Sequence, residues 1–84
     1  MKTEIYAIYD SKSQVYNKPF HQINQAVAMR TATDLANDSN SEIAKNPEDY
    51  TMFYLGNYDD QTAQFELCEP KSVCKFHELV QAGS

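Results

Sequence analysis

Residues 46–60, NPEDYTMFYLGNYDD, decide the fold, because they contain a turn, a strand that is aromatic along its length and an acidic hairpin tip. Pro47 forces extended geometry on Asn46, so a strand over residues 50–58 begins soon after it. Gly56 interrupts this strand and predicts a bulge or a bend. A stripe of large side chains at period two is typical of a core or a subunit contact, so we predict a dimer interface on one strand face. Its members are Tyr50, Met52, Tyr54 and Tyr58.

The same tyrosine stripe has an alternative interpretation as a platform on which nucleic-acid bases stack. The acidic tip at Asp59 and Asp60 disfavours this interpretation, because phosphate groups are repelled there.

The chain before this stretch predicts a second aromatic strand and a hairpin. Residues 3–10 carry apolar side chains at both odd and even positions, and therefore on both faces of a strand. This is typical of a central strand covered on both sides. The polar tetrapeptide at residues 11–14 has the length of a hairpin loop. Residues 15–18 then return antiparallel, and Pro19 ends that strand or confines it to a sheet edge.

One amphipathic helix is predicted over residues 22–37, with an alanine-rich apolar stripe that allows close approach to a sheet. Ser39 and Glu42 form a capping-box pattern for one short helical turn that ends at Lys45. After the central stretch we expect a hairpin tip at residues 59–62 and a strand over residues 63–67 with one buried face. Apolar residues at 73, 76, 79 and 80 predict a short C-terminal helix.

These elements predict one α+β domain over residues 1–84, with a mainly antiparallel sheet in the order β-β-α-β-β. About four strands carry the main helix on one face and the short helix at the end. Gly83 and Ser84 are interpreted as a cloning remnant. One helix does not cover two apolar sheet faces, so either the C-terminal helix or a second copy covers the other face. We favour a homodimer.

Charge limits the function classes, since twelve acidic residues stand against seven basic ones and the net charge is −5. An acidic chain binds DNA only where its cations cluster and its acids face away. Otherwise the charge suits solubility or a basic protein partner. No apolar run approaches the ~20 residues that span a bilayer, and the first residues do not form a signal peptide. We therefore expect a cytoplasmic protein without a membrane partner.

Catalytic and metal chemistry are poorly supported. Cys68 and Cys74 allow a disulfide or half of a metal site, but a cytosolic setting favours reduced thiols. Their spacing with His77 and the distant His21 matches no zinc signature. The acids beside the central strand occur in ordinary turn sequences, and two glycines are too few for a phosphate-binding loop. We predict no enzyme activity, no cofactor and no metal.

The N-terminal hairpin supplies a candidate nucleic-acid surface, because it combines aromatic rings with cations. The candidates are Lys12, Tyr16, Lys18 and Phe20, with Arg30 as a further cation. The alternative is that the two rings fill the core and the lysines only increase solubility. The residues alone leave both interpretations open.

Several short patterns over residues 5–60 together resemble one family. They are Ile8-Tyr9-Asp10-Ser11-Lys12, Arg30 with Asp34, Asn37 and Asp38, then Ser41, Lys45 and Pro47-Glu48-Asp49-Tyr50, and finally Leu55-Gly56 and Asp59-Asp60. In this order and spacing they resemble the small nonstructural protein of gokushovirus-type microviruses, which are tailless phages with small circular single-stranded DNA genomes.

The resemblance implies a DNA-binding or DNA-synthesis accessory protein that acts when replication changes from duplex copying to single-strand production and packaging. It places the protein in the host cytoplasm, with single-stranded DNA and viral replication or capsid-assembly proteins as partners. We predict a noncatalytic phage accessory protein for genome synthesis and packaging that binds single-stranded DNA weakly, the replication machinery, or both. The alternative is an acidic protein–protein adapter or host-directed modulator without nucleic-acid contact.

Overall fold

A computed structural model describes residues 1–81 and confirms the predicted α+β fold with its mainly antiparallel sheet. The strands are β1 (Lys2–Asp10), β2 (Val15–Tyr16), β3 (Phe20–Gln22), β4 (Tyr50–Asp59) and β5 (Gln64–Lys75). The helices are α1 (Gln25–Asn37) and α2 (Glu42–Lys45), and two 3-10 turns span Pro47–Asp49 and Phe76–Glu78. The interpretation of Gly83 and Ser84 as a cloning remnant falls outside the described residues.

The sheet has the order β2-β1-β4-β5, and β3 also pairs with β1, next to β2. All pairings are antiparallel. The returning strand predicted over residues 15–18 is β2, and a second short strand that was not predicted, β3, follows the loop that contains Pro19. Asn17 holds this loop against β1, because its backbone N–H donates to the Ile8 carbonyl at 2.8 Å and its side chain accepts from the Ile8 N–H at 2.8 Å.

Helix α1 begins at Gln25, because Asn24 caps it. The Asn24 side chain accepts a hydrogen bond from the Val27 N–H at 2.9 Å, which satisfies one of the free donors of the first turn. Ala28, Ala32 and Ala36 are buried along one stripe of the helix. Their small side chains let α1 lie close against the sheet, as the sequence predicts.

The predicted C-terminal helix is shorter and begins later than expected: residues 73–75 end β5, and the helical segment is the 3-10 turn at Phe76–Glu78. Cys74 instead pairs with Met52 across the ladder, and Phe76 is fully buried. A strand end followed by a tight turn places apolar side chains on one side, as a short helix does. The spacing of the apolar residues at 73, 76, 79 and 80 therefore did not distinguish a strand and turn from a helix.

All helical elements pack on one side of the sheet, which we call the covered face. The core there joins strand residues to α1 and the last 3-10 turn; its buried members are Tyr6, Ile8, Ala28, Ala32, Ala36, Met52, Cys74 and Phe76. The end of the described chain lies on the same side. The Asn37 amide donates to the Leu79 carbonyl at 3.0 Å and accepts from the Gln81 N–H at 2.9 Å.

The predicted bulge at Gly56 is confirmed, and it changes the face on which β4 side chains lie. Tyr6 is opposite Tyr54, but Ile5 is opposite Gly56, so one extra residue of β4 enters the ladder between them. A one-residue insertion reverses the alternation of side chains beyond it. Tyr58, opposite Thr3, therefore lies on the other face from Tyr54.

The four residues predicted to form a dimer interface consequently do not lie on one face of the sheet. Tyr50, Met52 and Tyr54 face α1 and the core, whereas Tyr58 faces away from them. Met52 is 0% exposed and has no surface to offer a second copy. The prediction assumed an unbroken alternation along β4, which the bulge removes.

Candidate functional site

The sheet face opposite α1 is the candidate site, and we call it the open face. Register partners put their side chains on the same side, so the ladders define four rows across it. They are Lys75–Thr51–Tyr9–Tyr16, Ser72–Phe53–Ala7, Leu67–Gly56–Ile5–His21 and Phe65–Tyr58–Thr3. Among the described residues, none of the helices or 3-10 turns contributes to this face.

Two clusters of aromatic rings stand on the open face. In the first, the Tyr9 ring lies 4.8 Å from Tyr16 between centroids, and Phe53 lies 5.4 Å from Tyr16. In the second, Tyr58 lies 4.8 Å from Phe65 and 5.6 Å from the His21 ring. Tilted and edge-to-face contacts of this kind hold rings upright against one another. The clusters therefore give the face relatively fixed aromatic edges and planes.

The outer rings of both clusters reach solvent. Tyr16 is 46% exposed and Phe65 is 58% exposed, and Leu67 beside them is 69% exposed. Ile5 and Ala7, in the two middle rows, are buried but do not belong to the core of the covered face. The open face thus has a buried apolar floor and exposed aromatic walls, which is uncommon for a surface that only meets water.

Charge is distributed unevenly along the open face. The first aromatic cluster lies at the lysine end. Lys75 is in the same row as Tyr9 and Tyr16, and Lys12 is in the turn between β1 and β2. Neither lysine forms an ion pair within the described residues. The second cluster lies at the acidic end of the sheet, where the turn between β4 and β5 carries Asp60; Asp59 and Glu66 are at the same end but on the covered side.

The acidic end is partly neutralised by short ion pairs. The N-terminal ammonium contacts Asp60 at 2.6 Å, and Lys2 contacts Glu66 at 2.7 Å. Glu66 raises the pKa of Lys2 by hydrogen bonding and by charge. These pairs are exposed, so they adjust the local charge more than they stabilise the fold.

The five residues predicted to bind nucleic acid do not form one surface. Tyr16 lies on the open face, and Lys12 and Lys18 are exposed in loops on either side of β2. Phe20 is on the covered face, where it stacks on Tyr6 at 6.2 Å, so the core interpretation holds for this ring. Arg30 is exposed on α1, two residues from buried Ala28, and therefore points away from the sheet.

Sequence reasoning missed four residues of the site: Tyr9, Phe53, Phe65 and Lys75. Alternation separates Tyr9 from Tyr6 and Phe53 from Tyr54, but it does not say which of the two strand faces the helix covers. Lys75 was missed because residues around it were predicted to form the C-terminal helix and not a strand of the sheet. Phe65 was expected to be buried, and only the one-sided placement of the helices exposes it.

The covered face has a cavity of about 420 Å³, lined by Glu4, Tyr6, Gln25, Tyr54, Lys71, Ser72 and Val73. The Tyr6 hydroxyl donates to the Glu4 carboxylate at 2.7 Å, and the Tyr54 hydroxyl donates to the Asn57 side-chain oxygen at 2.9 Å. Burial, followed by the bond to Glu4, raises the pKa of Tyr6 well above its usual range. Burial also raises the pKa of Tyr54.

Both thiols are free, with Cys68 exposed and Cys74 buried. Burial raises the pKa of the Cys74 thiol and keeps it in its unreactive protonated form. Within residues 1–81, no three His, Cys, Asp or Glu side chains are grouped so that they could hold a metal ion. In the same residues, no helix has the length and hydrophobicity needed to cross a membrane.

Comparison with models of known protein families gives a match over most of the chain. The model of the family described as Phage ORF5 protein matches residues 3–79, which is nearly the whole chain. The chain therefore belongs to this bacteriophage protein family. No curated protein and no solved structure matches it.

Proposed function

We propose that this member of the Phage ORF5 family is a noncatalytic accessory protein that binds single-stranded DNA during phage genome synthesis and packaging. The observation that carries the proposal is the open face, where two aromatic clusters stand uncovered with unpaired lysines at one end. The resemblance of residues 5–60 to the gokushovirus-type microvirus protein supports the biological setting.

Exposed rings on a sheet suit an unpaired strand better than a duplex. Unpaired bases present their planes, and each stack on an aromatic side chain contributes ~1–3 kcal/mol. Tyr16 and Phe65 are the most accessible rings of the two clusters. Bases stacked at both clusters would lie along the length of the sheet, across the buried floor formed by Ile5 and Ala7.

The lysine end supplies the phosphate contacts. Lys12, Lys18 and Lys75 are free of ion pairs within the described residues, and the first aromatic cluster lies among the elements that carry them. We expect about two to four phosphates to be neutralised, so log affinity falls with log salt at roughly −0.7 per phosphate. Affinity is weak because the net charge of −5 opposes it.

The test is binding of a fluorescent oligothymidine at several salt concentrations. Tyr16→Ala should weaken binding about tenfold, by loss of one stacking contact. Lys12→Ala and Lys75→Ala should each reduce the salt slope. Arg30→Ala is the matched control, because it removes one cation from the covered side and should leave affinity nearly unchanged. Absence of any binding at low salt, or an equal loss in Arg30→Ala, contradicts the proposal.

A protein partner is the second candidate, and the acidic end favours it. Phe65 and Leu67 expose 58% and 69% of their surfaces next to the hairpin tip that carries Asp60. An apolar centre with an acidic rim suits a basic protein of the replication or capsid-assembly machinery, or a second copy of this chain. Sedimentation over a concentration series distinguishes these occupants: a homodimer predicts a mass that doubles with concentration and a loss of doubling in Leu67→Ser.

A further inference from the structure

The cavity on the covered face has features of a ligand site that the open face does not use. Its volume of about 420 Å³ lies in the range of small-molecule pockets, roughly 300–1,000 Å³. It opens where α1 begins, at Gln25, and extends to β5 at Lys71. Helix α1 packs on the core beside Ile8 and Met52 and leaves the cavity accessible.

The polar groups in the cavity are fixed but only partly used. Glu4 accepts one hydrogen bond, from Tyr6, through one carboxylate oxygen. A carboxylate accepts about four hydrogen bonds in total, so most of this capacity remains for a ligand. Lys71 lies opposite Tyr54 across the ladder and forms no ion pair with Glu4 or any other described residue. The cavity therefore presents a fixed acceptor and a separate cationic donor.

The exposed aromatic wall of the cavity is Tyr54, because Tyr6 is 1% exposed and offers a ligand almost no ring surface. Tyr54 contacts Tyr6 edge to face with 5.6 Å between ring centroids. The Tyr54 hydroxyl is held by Asn57 at 2.9 Å, which fixes the orientation of the ring. A flat heterocycle is the ligand class that fills a cavity of this kind, since it gains contact with ring faces and uses both polar ends.

The geometry points to a guanine base as the occupant. Guanine carries two adjacent donors, N1–H and the 2-amino group, which match the two oxygens of a carboxylate. Its neighbouring edge carries two acceptors, O6 and N7, which suit the Lys71 ammonium. Adenine and cytosine each offer one exocyclic amino group as donor on the corresponding edge, and thymine offers one ring N–H. Guanine is thus the base that satisfies both ends of the cavity.

This site is separate from the DNA surface of the open face. Glu4, Tyr6, Tyr54 and Lys71 lie on the covered side of the sheet, and the aromatic clusters lie on the other. The guanine can come from a free nucleotide or from a strand that passes around the β5 edge. Mononucleotide binding tests the cavity without any contribution from the open face.

The experiment is calorimetric titration of the full chain with 5′-GMP, AMP, CMP, dTMP and inosine monophosphate, which lacks the 2-amino group. GMP should bind at least about tenfold more tightly than the others, since each loses a hydrogen bond to a charged group. Glu4→Gln should abolish this preference, because an amide NH₂ meets a guanine donor. Lys71→Met should weaken GMP about tenfold. A thermal melt verifies that each variant is folded.

Glu69→Gln and Lys75→Met are the matched controls, because they change the same charges on β5 outside the cavity. Both should bind GMP like the unaltered protein, although Lys75→Met should weaken oligothymidine binding. A second titration compares oligothymidine with the same strand carrying one central guanine; a preference that depends on Glu4 identifies the strand as a source. The inference is overturned if neither GMP nor the guanine-containing strand is preferred, whatever the result for the open face.

Discussion

The covered and open faces are built by alternate residues of the same strands, yet they differ in what packs on them. On the covered face, Met52 of β4 and Phe76 of the last 3-10 turn are 0% exposed in the core that they form with α1. On the open face, Phe65 and Leu67 remain more than half exposed. Hydrophobic side chains on the first face stabilise the fold, and those on the second are available to a ligand or partner.

Removing one phenylalanine from each face is the strongest test of this difference. Phe76→Ala should cost about 3–5 kcal/mol, because it opens a cavity in the core of a small domain. Phe65→Ala should change the free energy of unfolding by less than about 0.5 kcal/mol, as expected for an exposed position. Urea denaturation monitored by circular dichroism measures both. Comparable losses in the two variants would show that the open face is also structural.

The bulge at Gly56 decides which face Tyr58 lies on, because it reverses the alternation of side chains along β4. The Gly56 φ of +141° is strained for any residue with a side chain, and an added Cβ would collide with the backbone of Glu66 and Leu67. Gly56→Ala should therefore cost about 2–4 kcal/mol through strain and overpacking. Denaturant unfolding measures the loss.

A matched control for this variant is Asn57→Ala, which changes the next residue of β4 without a positive φ. It loses the hydrogen bond from Tyr54, so a decrease of about 1 kcal/mol is expected. If Gly56→Ala were no more destabilising than the control, the bulge would not require glycine.

The sequence predicts the covered face better than the open one. The alanine stripe of α1 is a local pattern, and its burial against β1 and β4 follows from periodicity. The bulge was also predictable, since Gly56 stands inside an otherwise aromatic strand. Its consequence was not, because a bend at Gly56 keeps the alternation of side chains and a bulge reverses it, and the sequence left both open.

The open site depends on long-range placement, which local patterns do not encode. Phe20 and Tyr16 are both aromatic residues near a hairpin, but β2 and β3 pair with different parts of β1 and put them on opposite faces. Lys75 joins the site only because β5 continues to that residue rather than becoming helical. The location of the helices on one side alone decides which rings remain exposed.

The smallest effect concerns the pH dependence of the covered face. The folded state raises the pKa of Tyr6 above its ordinary value of 10, chiefly through burial. The neutral phenol is therefore favoured by folding, and its contribution is complete below pH 10. It is lost as the pH rises further, because the unfolded chain ionises first. Stability should decrease above pH 10.

Tyr6→Phe isolates this contribution. At pH 7 the variant should lose only about 1 kcal/mol, for the hydrogen bond to Glu4. Above pH 10 its stability should fall less steeply than that of the unaltered protein, because the buried phenol no longer titrates. Tyr16→Phe is the control from the open face and should keep the full alkaline decrease, since its ring is 46% exposed. Urea denaturation at pH 7, 9, 10 and 11 compares the three proteins, and parallel curves would contradict a role for Tyr6 burial.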